Sequence, residues 1–367
     1  MKKKLILSIG FISIILLVVV SLFLIKSGKS EALPDADLDQ VNQIEVPQTL
    51  TTESTEATTE PLPNISGDKN PLTGIVTEID LSGRRPIVVM LDNQIDARPQ
   101  AALAQADVIY EILAEGLITR YMAVFYGEYP EHIGPVRSSR PYFIEKALEF
   151  DPFYVHVGGS MQALSDIKKL GIADIDGLSS GAFWREKHKK IPHNMYTSSE
   201  ILVKDAISKG YETSVTVDFL EFNDTFTILE GLSASEITFI YKEPVQSDRI
   251  GYSTSYKYND EEKVYYRYTN GEPHVDENSN VQLTCTNILV QYAKTKVLDN
   301  EGRLDVDLIT TGEGRYYTSG KYIDVKWSKD SASSITVFYD QSGNTIKLNP
   351  GVTWFQIVKI GNIEIIK

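Results

Sequence analysis

The sequence predicts an α/β layered domain followed by a mainly β domain. Between residues 86 and 210, short apolar runs of strand length interleave with amphipathic helical patterns. Beyond about residue 221 no helical period is compelling, and aromatic and β-branched runs separated by turn signals take over. Ahead of both lie an unbroken uncharged, mostly apolar run at 5–25 and a Thr/Glu/Pro-rich stretch, read as a transmembrane helix and a disordered tether. The expected divisions are 1–26, 27–68, 69–213 and 214–367.

The amino-terminal run is about long enough to cross the hydrocarbon core of a bilayer. Lys2, Lys3 and Lys4 precede it, which favours a cytoplasmic amino terminus and export of everything after it. Residues 30–32 (SEA) faintly resemble a signal-peptidase site; an uncleaved anchor is the favoured reading. No cysteine follows the run, so lipid attachment in the usual lipoprotein form is excluded. The only cysteine is Cys285, within the strand-like VQLTCTNILVQYA, which rules out an internal disulfide and a cysteine-rich metal site. The tether at 27–68 has almost nothing to bury and reads as reach, not recognition. The expected location is therefore the cell membrane, single-pass, with extracellular carboxy-terminal domains.

In the first domain the strand candidates are PIVVMLDN (86–93), DVIYEIL (107–113), TRYMAVFY (119–126) and PFYVHV (152–157). Helices are expected at 141–150, 161–170 and 198–209; the last opens with capping-box spacing and stops at Gly210. In the second domain GYSTSYKY, KVYYRYT, NILVQYAKTKVL, YIDVKW and SITVFY read as strands, divided by turn signals such as Asn270-Gly271.

The chain carries a formal charge of -14, which argues against nucleic acid as a main partner. Against that background GPVRSSRP (134–141), HVGGS (156–160) and WREKHKKIPHN (184–194) concentrate arginine, lysine, histidine and glycine. Arg137 and Arg140, three apart, are expected to point to one side and fork onto phosphate or carboxylate oxygens. Gly158, Gly159 and Ser160 lie between a strand and a helix, where the backbone can approach an anion at the helix start. Arg185, His193 and Asn194 are the candidates of the third cluster, with His193 a possible acid–base group; Lys187, Lys189 and Lys190 are assigned to a solvated face. Ser160 with His156 or His193 is the hydrolase alternative, although the G-x-S-x-G pattern fails at Gln162. Asp92, Asp107, Glu111 and Glu115 supply acids near strand ends, one of which could hold magnesium beside a phosphate.

LDNQIDARPQAALAQADVIYEILAEGLITRYMAVF, IGPVRSSRP, HVGGS and PHN resemble the YerB-like lipoprotein family, as does NILVQYAKTKVLDNEGRLDVDLITTGEGRYYTSGKYIDVKW in the second half. The resemblance spans nearly all of 69–367 and implies a two-domain bacterial envelope protein of no agreed activity. Through ADVIYEI, PVRSSRP, YVHVGGSMQALSDIKKLGIADID and residues 184–207, the first domain also resembles, more weakly, the LytR-CpsA-Psr proteins, which attach glycopolymers to the cell wall. That likeness implies that Arg137, Arg140 and Arg185 grip a lipid-linked glycan pyrophosphate, with Asp107 a magnesium ligand. Ser138 departs from it, standing where that family places an aspartate, which puts metal-assisted transfer in doubt. The leading expectation is an envelope protein that binds a phosphate-bearing glycan or glycolipid; the alternative is a non-catalytic scaffold for peptidoglycan or protein partners.

Overall fold

The computed structural model describes residues 67–243 and 251–367. The expected anchor at 1–26 and nearly all of the tether at 27–68 lie outside the described residues. Among the described residues no helix is long and apolar enough to cross a membrane.

The amino-terminal half forms the strands expected of its apolar runs: β1 Ile87–Leu91, β2 Val108–Leu113, β3 Thr119–Phe125, β4 Phe153–His156 and a short β5 Asp174–Asp176. Alternation sorts their side chains. Val88, Met90, Tyr110, Ile112, Met122 and Tyr154 enter one core, while Ile87, Val89, Ile109, Tyr121, Ala123 and Val155 enter a second on the opposite face. Because both faces are covered, these strands read as continuous apolar runs.

Three α-helices cover them: α1 Pro141–Ala147, α2 Met161–Leu170 and α3 Ser199–Ser208. Pro141 opens α1 at a position whose N–H needs no helical partner. The Ser160 and Ser198 hydroxyls cap α2 and α3 by accepting from Ala163 and Ile201 N–H. Gly210, at φ +76°, follows the end of α3, a backbone conformation that glycine adopts without a Cβ penalty. α1 and α2 bury Phe143, Ile144, Ala163 and Ile167 in the first core, and α3 buries Leu202 and Ala206 in the second.

The carboxy-terminal half contributes β6 Glu236–Lys242, β7 Tyr252–Asn259, β8 Val264–Thr269, β9 Asn287–Ala293, β10 Thr311–Thr318, β11 Lys321–Ser328, β12 Thr353–Lys359 and β13 Ile363–Ile366, with shorter strands between them. No helix follows α3 among the described residues. The two halves share a sheet. β12 lies between β9 and β2, parallel to both, so the central eleven-stranded sheet runs from β11 and β10 through β9, β12, β2, β3 and β1 to β4 and β5. Phe355 of β12 sits opposite Tyr110 of β2, and their rings stack with centroids 4.4 Å apart.

The second sheet, built on β8, β7, β6 and β13, packs on the face of the central sheet that carries Tyr121 and Trp354. A buried charge pair joins the layers: Arg267 Nη2 of β8 lies 2.7 Å from Glu111 Oε2 of β2, both side chains fully buried. Thr119, Thr254 and Tyr252 hydroxyls and Gln356 Nε2 surround the same carboxylate. Burial pushes Glu111 up, but the Arg267 guanidinium and these donors prevail and hold it below its ordinary value. Burial, with Arg267 and Arg98 nearby, drives His274 well below its ordinary value. It is therefore neutral, taking the Arg267 N–H at Nδ1 and donating from Nε2 to Gln100 Oε1 at 2.8 Å.

A candidate anion site at the carboxyl edge of the sheet

β1, β2, β4 and β5 run in one direction, so their carboxyl ends share an edge of the sheet, where α/β proteins tend to place ligand sites. The 134–140 segment crosses this edge in extended form. Val136 bridges to Leu91 of β1, Arg137 N–H donates to Met90 O, and Ser139 bridges to Gly159 beyond β4. On the other side Val136 N–H donates to Met195 O, in the two-residue strand Met195–Tyr196 that pairs with Trp184–Arg185.

One local ladder thus gathers the three sequence clusters. Arg137 Nε lies 3.3 Å from Asp92 Oδ2, and His193 Nδ1 lies 2.7 Å from the same oxygen. Asp92 is buried just past the end of β1. Arg137 Nε is itself buried and makes no hydrogen bond, although about a third of the side chain remains exposed. His193 Nε2 has no protein partner among the described residues. Asn194 Oδ1 accepts from Arg185 Nη1 at 2.7 Å, and its Nδ2 donates to Glu186 O, which ties Arg185 to the same hairpin.

The expectation that Arg137 and Arg140 point to one side is corrected. The backbone at Arg140 is extended (φ -137°, ψ 155°), and α1 starts only at Pro141. Arg140 accordingly turns to a different carboxylate, Glu115, beyond β2. Between the two pairs stands Arg120, at the start of β3, donating to Ser138 O at 2.8 Å with Glu115 3.6 Å away. Burial, then the neighbouring Arg140 guanidinium, pulls Arg120 below its ordinary value, against the pull of Glu115 and Asp92. Along the 134–140 segment Arg137, Arg140 and Arg120 thus face Asp92 and Glu115, while Asp174 and Asp176 lie at the same edge against His156 and Gly158.

Gly158, Gly159 and Ser160 adjoin this segment, but much of their hydrogen-bonding capacity is spent internally. Gly158 N–H donates to Asp176 Oδ1 at 2.7 Å, and Ser160 N–H donates to Ser139 O. The Ser160 hydroxyl is the cap of α2. Neither histidine of the hydrolase alternative bonds to it: His156 is buried between Gly158 O and Asp174, and His193 is on Asp92.

Asp107 does not fit the magnesium role. It lies at the opposite end of β2, about 20 Å from the arginine edge at ~3.3 Å per residue. Its oxygens accept from Asn70 Nδ2 and from Tyr126 and Gly127 N–H. Burial leaves its carboxyl above the ordinary value despite these donors. No group of three metal-ligating side chains converges among the described residues. Lys189, expected on a solvated face, is instead tucked against Glu277 and the Tyr196 hydroxyl.

Arg120 escapes a reading of the sequence, although an arginine inside an apolar strand is a visible signal. Arg267 escapes it too, and there the parity of Tyr265, Arg267 and Thr269, all inward, is the clue.

Family models described as "Protein of unknown function (DUF3048)" N-terminal domain and C-terminal domain match residues 72–212 and 245–355. The chain belongs to the DUF3048 family. Within it, the chain is 33% identical over 293 residues to "Putative lipoprotein YerB" of Bacillus subtilis, covering 79% of this chain and 86% of that protein. The crystal structure of the YerB protein from Bacillus subtilis superposes with a TM-score of 0.72, covering 79% of this chain and 96% of that one. The DUF3048 assignment bears out the resemblance read from the 134–141, 156–160 and 192–194 motifs. The chain thus has two family domains, mostly strands with few helices, and its relative's name is consistent with an envelope protein. Cys285, the single cysteine of the sequence, is free and buried in the second core.

Proposed function

We propose that the protein is a membrane-anchored, extracellular envelope protein whose α/β half binds a phosphate-bearing anion at the carboxyl edge of the sheet. Residues 1–26 serve as the anchor and 27–68 as the tether. The observation that carries the reading is Arg137: a guanidinium one-third exposed, its Nε without a hydrogen bond, beside a histidine on the same buried carboxylate. Its permanent charge and forked donors suit Arg137 to phosphate. His193, oriented through Nδ1 by Asp92, offers Nε2 to the ligand as hydrogen-bond partner or proton acceptor. A lipid-linked glycan phosphate is the ligand class that matches an anchored protein facing the outer membrane surface.

The test is thermal shift with inorganic pyrophosphate and with geranyl pyrophosphate, each with and without magnesium. Stabilisation of the wild type at millimolar ligand, lost in Arg137→Ala, is the expected result; no shift in the wild type refutes the reading. The carboxylates already facing Arg137 and Arg140 favour a second reading, a non-catalytic scaffold for peptidoglycan or protein partners. Under it Arg137→Ala alters stability alone.

A further inference from the structure

The hairpin that carries Arg185, His193 and Asn194 has a tip that its own strand pairing does not reach. Pairing ends at Arg185 with Met195, and one further bond, from Glu186 N–H to Asn194 O, closes the stem. Within the tip His193 N–H donates to Lys190 O, which shapes the turn but fastens it to nothing outside the hairpin. Among the side chains at 187–193, only His188, Lys189 and His193 make hydrogen bonds among the described residues. His193 ends on Asp92. His188 and Lys189 both end on Glu277, a residue of the second half, with His188 Nε2 2.7 Å from Glu277 Oε1.

Glu277 is well placed to hold them. Its own N–H donates to Gln100 O at 2.9 Å, and Asp276 Oδ2 beside it accepts from Ala104 N–H at 3.2 Å. Asn278 grips His132 twice, its Nδ2 donating to His132 O and its Oδ1 lying 2.9 Å from His132 Nδ1. Asp276 Oδ1 accepts from Asn278 and Ser279 N–H, which stiffens the turn itself. The Glu277 carboxylate therefore enters from a fixed turn, and its side chain is only 16% exposed. It also accepts from the Tyr196 hydroxyl at 2.8 Å, so it touches the base of the hairpin as well as the tip. Burial pulls the Lys189 ammonium group below its ordinary value, and Glu277 is the foremost group opposing that pull.

We infer that Glu277 is a positioning residue of the anion edge, holding the 184–196 hairpin so that His193 stays on Asp92 beside Arg137. The second half of the chain thereby shapes a site whose ligand-facing groups, Arg137 and His193, belong to the first. The ligand arm of this inference rests on the anion reading; the hold on the hairpin does not.

The experiment compares the full-length wild type with Glu277→Ala and Glu277→Gln, by amide hydrogen exchange and by thermal shift titrated with inorganic pyrophosphate. Without ligand, the amides of 186–194 should exchange about tenfold faster in Glu277→Ala, while those of 108–125 keep the wild-type rate. Pyrophosphate affinity should fall about tenfold in Glu277→Ala and about tenfold in His193→Ala, and no further in the double variant, because one residue acts through the other. Glu277→Gln keeps the size and the acceptor for Tyr196 but loses the charge facing Lys189. It should fall between the wild type and Glu277→Ala, and it carries the test should the alanine variant fold poorly. Unchanged exchange at 186–194 overturns the inference, as does a double variant in which the two losses multiply. A wild type that ignores pyrophosphate refutes the anion reading, and the exchange result then decides the hold on the hairpin by itself.

Discussion

At the scale of single residues, a side chain's value depends on what shares its partner. Asp92 faces both Arg137 and His193; Glu115 faces Arg140 and Arg120; Glu149 faces Lys146 and Lys329. Glu111 with Arg267 is the most deeply buried pair, and neither member has a second ion-pair partner among the described residues. Charges taken out of water this completely tolerate no loss of one member. Glu111→Ala should destabilise by about 3–5 kcal/mol, because Arg267 is left buried and unpaired. Replacing Glu111 and Arg267 together with apolar residues of similar size should cost much less, and urea unfolding of both variants measures the contrast. Part of the grouping was legible where the chemistry was concentrated: Arg137 and His193 both reach Asp92. Their pairing with it was not, because Asp92 and His193 stand 101 positions apart and no local pattern reports that contact.

At the scale of elements the apolar periods were a faithful guide. β1 to β4 fall within the four runs, and α2 occupies the residues expected of it. What the periods missed is how the 134–140 segment runs. Its sequence reads equally well as a turn or a helix start, and its ladder contacts with Leu91, Met195 and Gly159 come from three distant stretches of chain. Ser160 shows the same limit. A serine after two glycines resembles a nucleophile, yet its hydroxyl closes the first turn of α2. Ser160→Ala should therefore cost ~1 kcal/mol of stability, as the loss of a helix cap does, and leave pyrophosphate-induced stabilisation in place. A loss of that ligand response without loss of stability would contradict the cap assignment.

At the scale of the whole molecule, the β character of the second half was legible and its place was not. The strand candidates of the second half do not include residues 353–359, where TWFQIVK shows no polar–apolar alternation because both faces are buried. The neighbour of this stretch, β2, lies far back in the chain: Gln356 donates to Glu111 across 245 positions. The family boundaries near 212 and 245 thus divide the sequence without dividing the central sheet. A protein ending at about residue 213 leaves β2 with an open edge and Tyr110 without Phe355 against it. It should fail to unfold cooperatively in calorimetry, whereas residues 67–367 should melt in a single transition. The position of β12 also has a meaning in time. A chain emerging from its amino terminus presents β2 early and pairs it with β3, but must leave its other edge open until β12 has been made. Completion of the sheet therefore waits on β12, so a product cut short before that strand lacks the centre of the sheet and is exposed to proteolysis from the start.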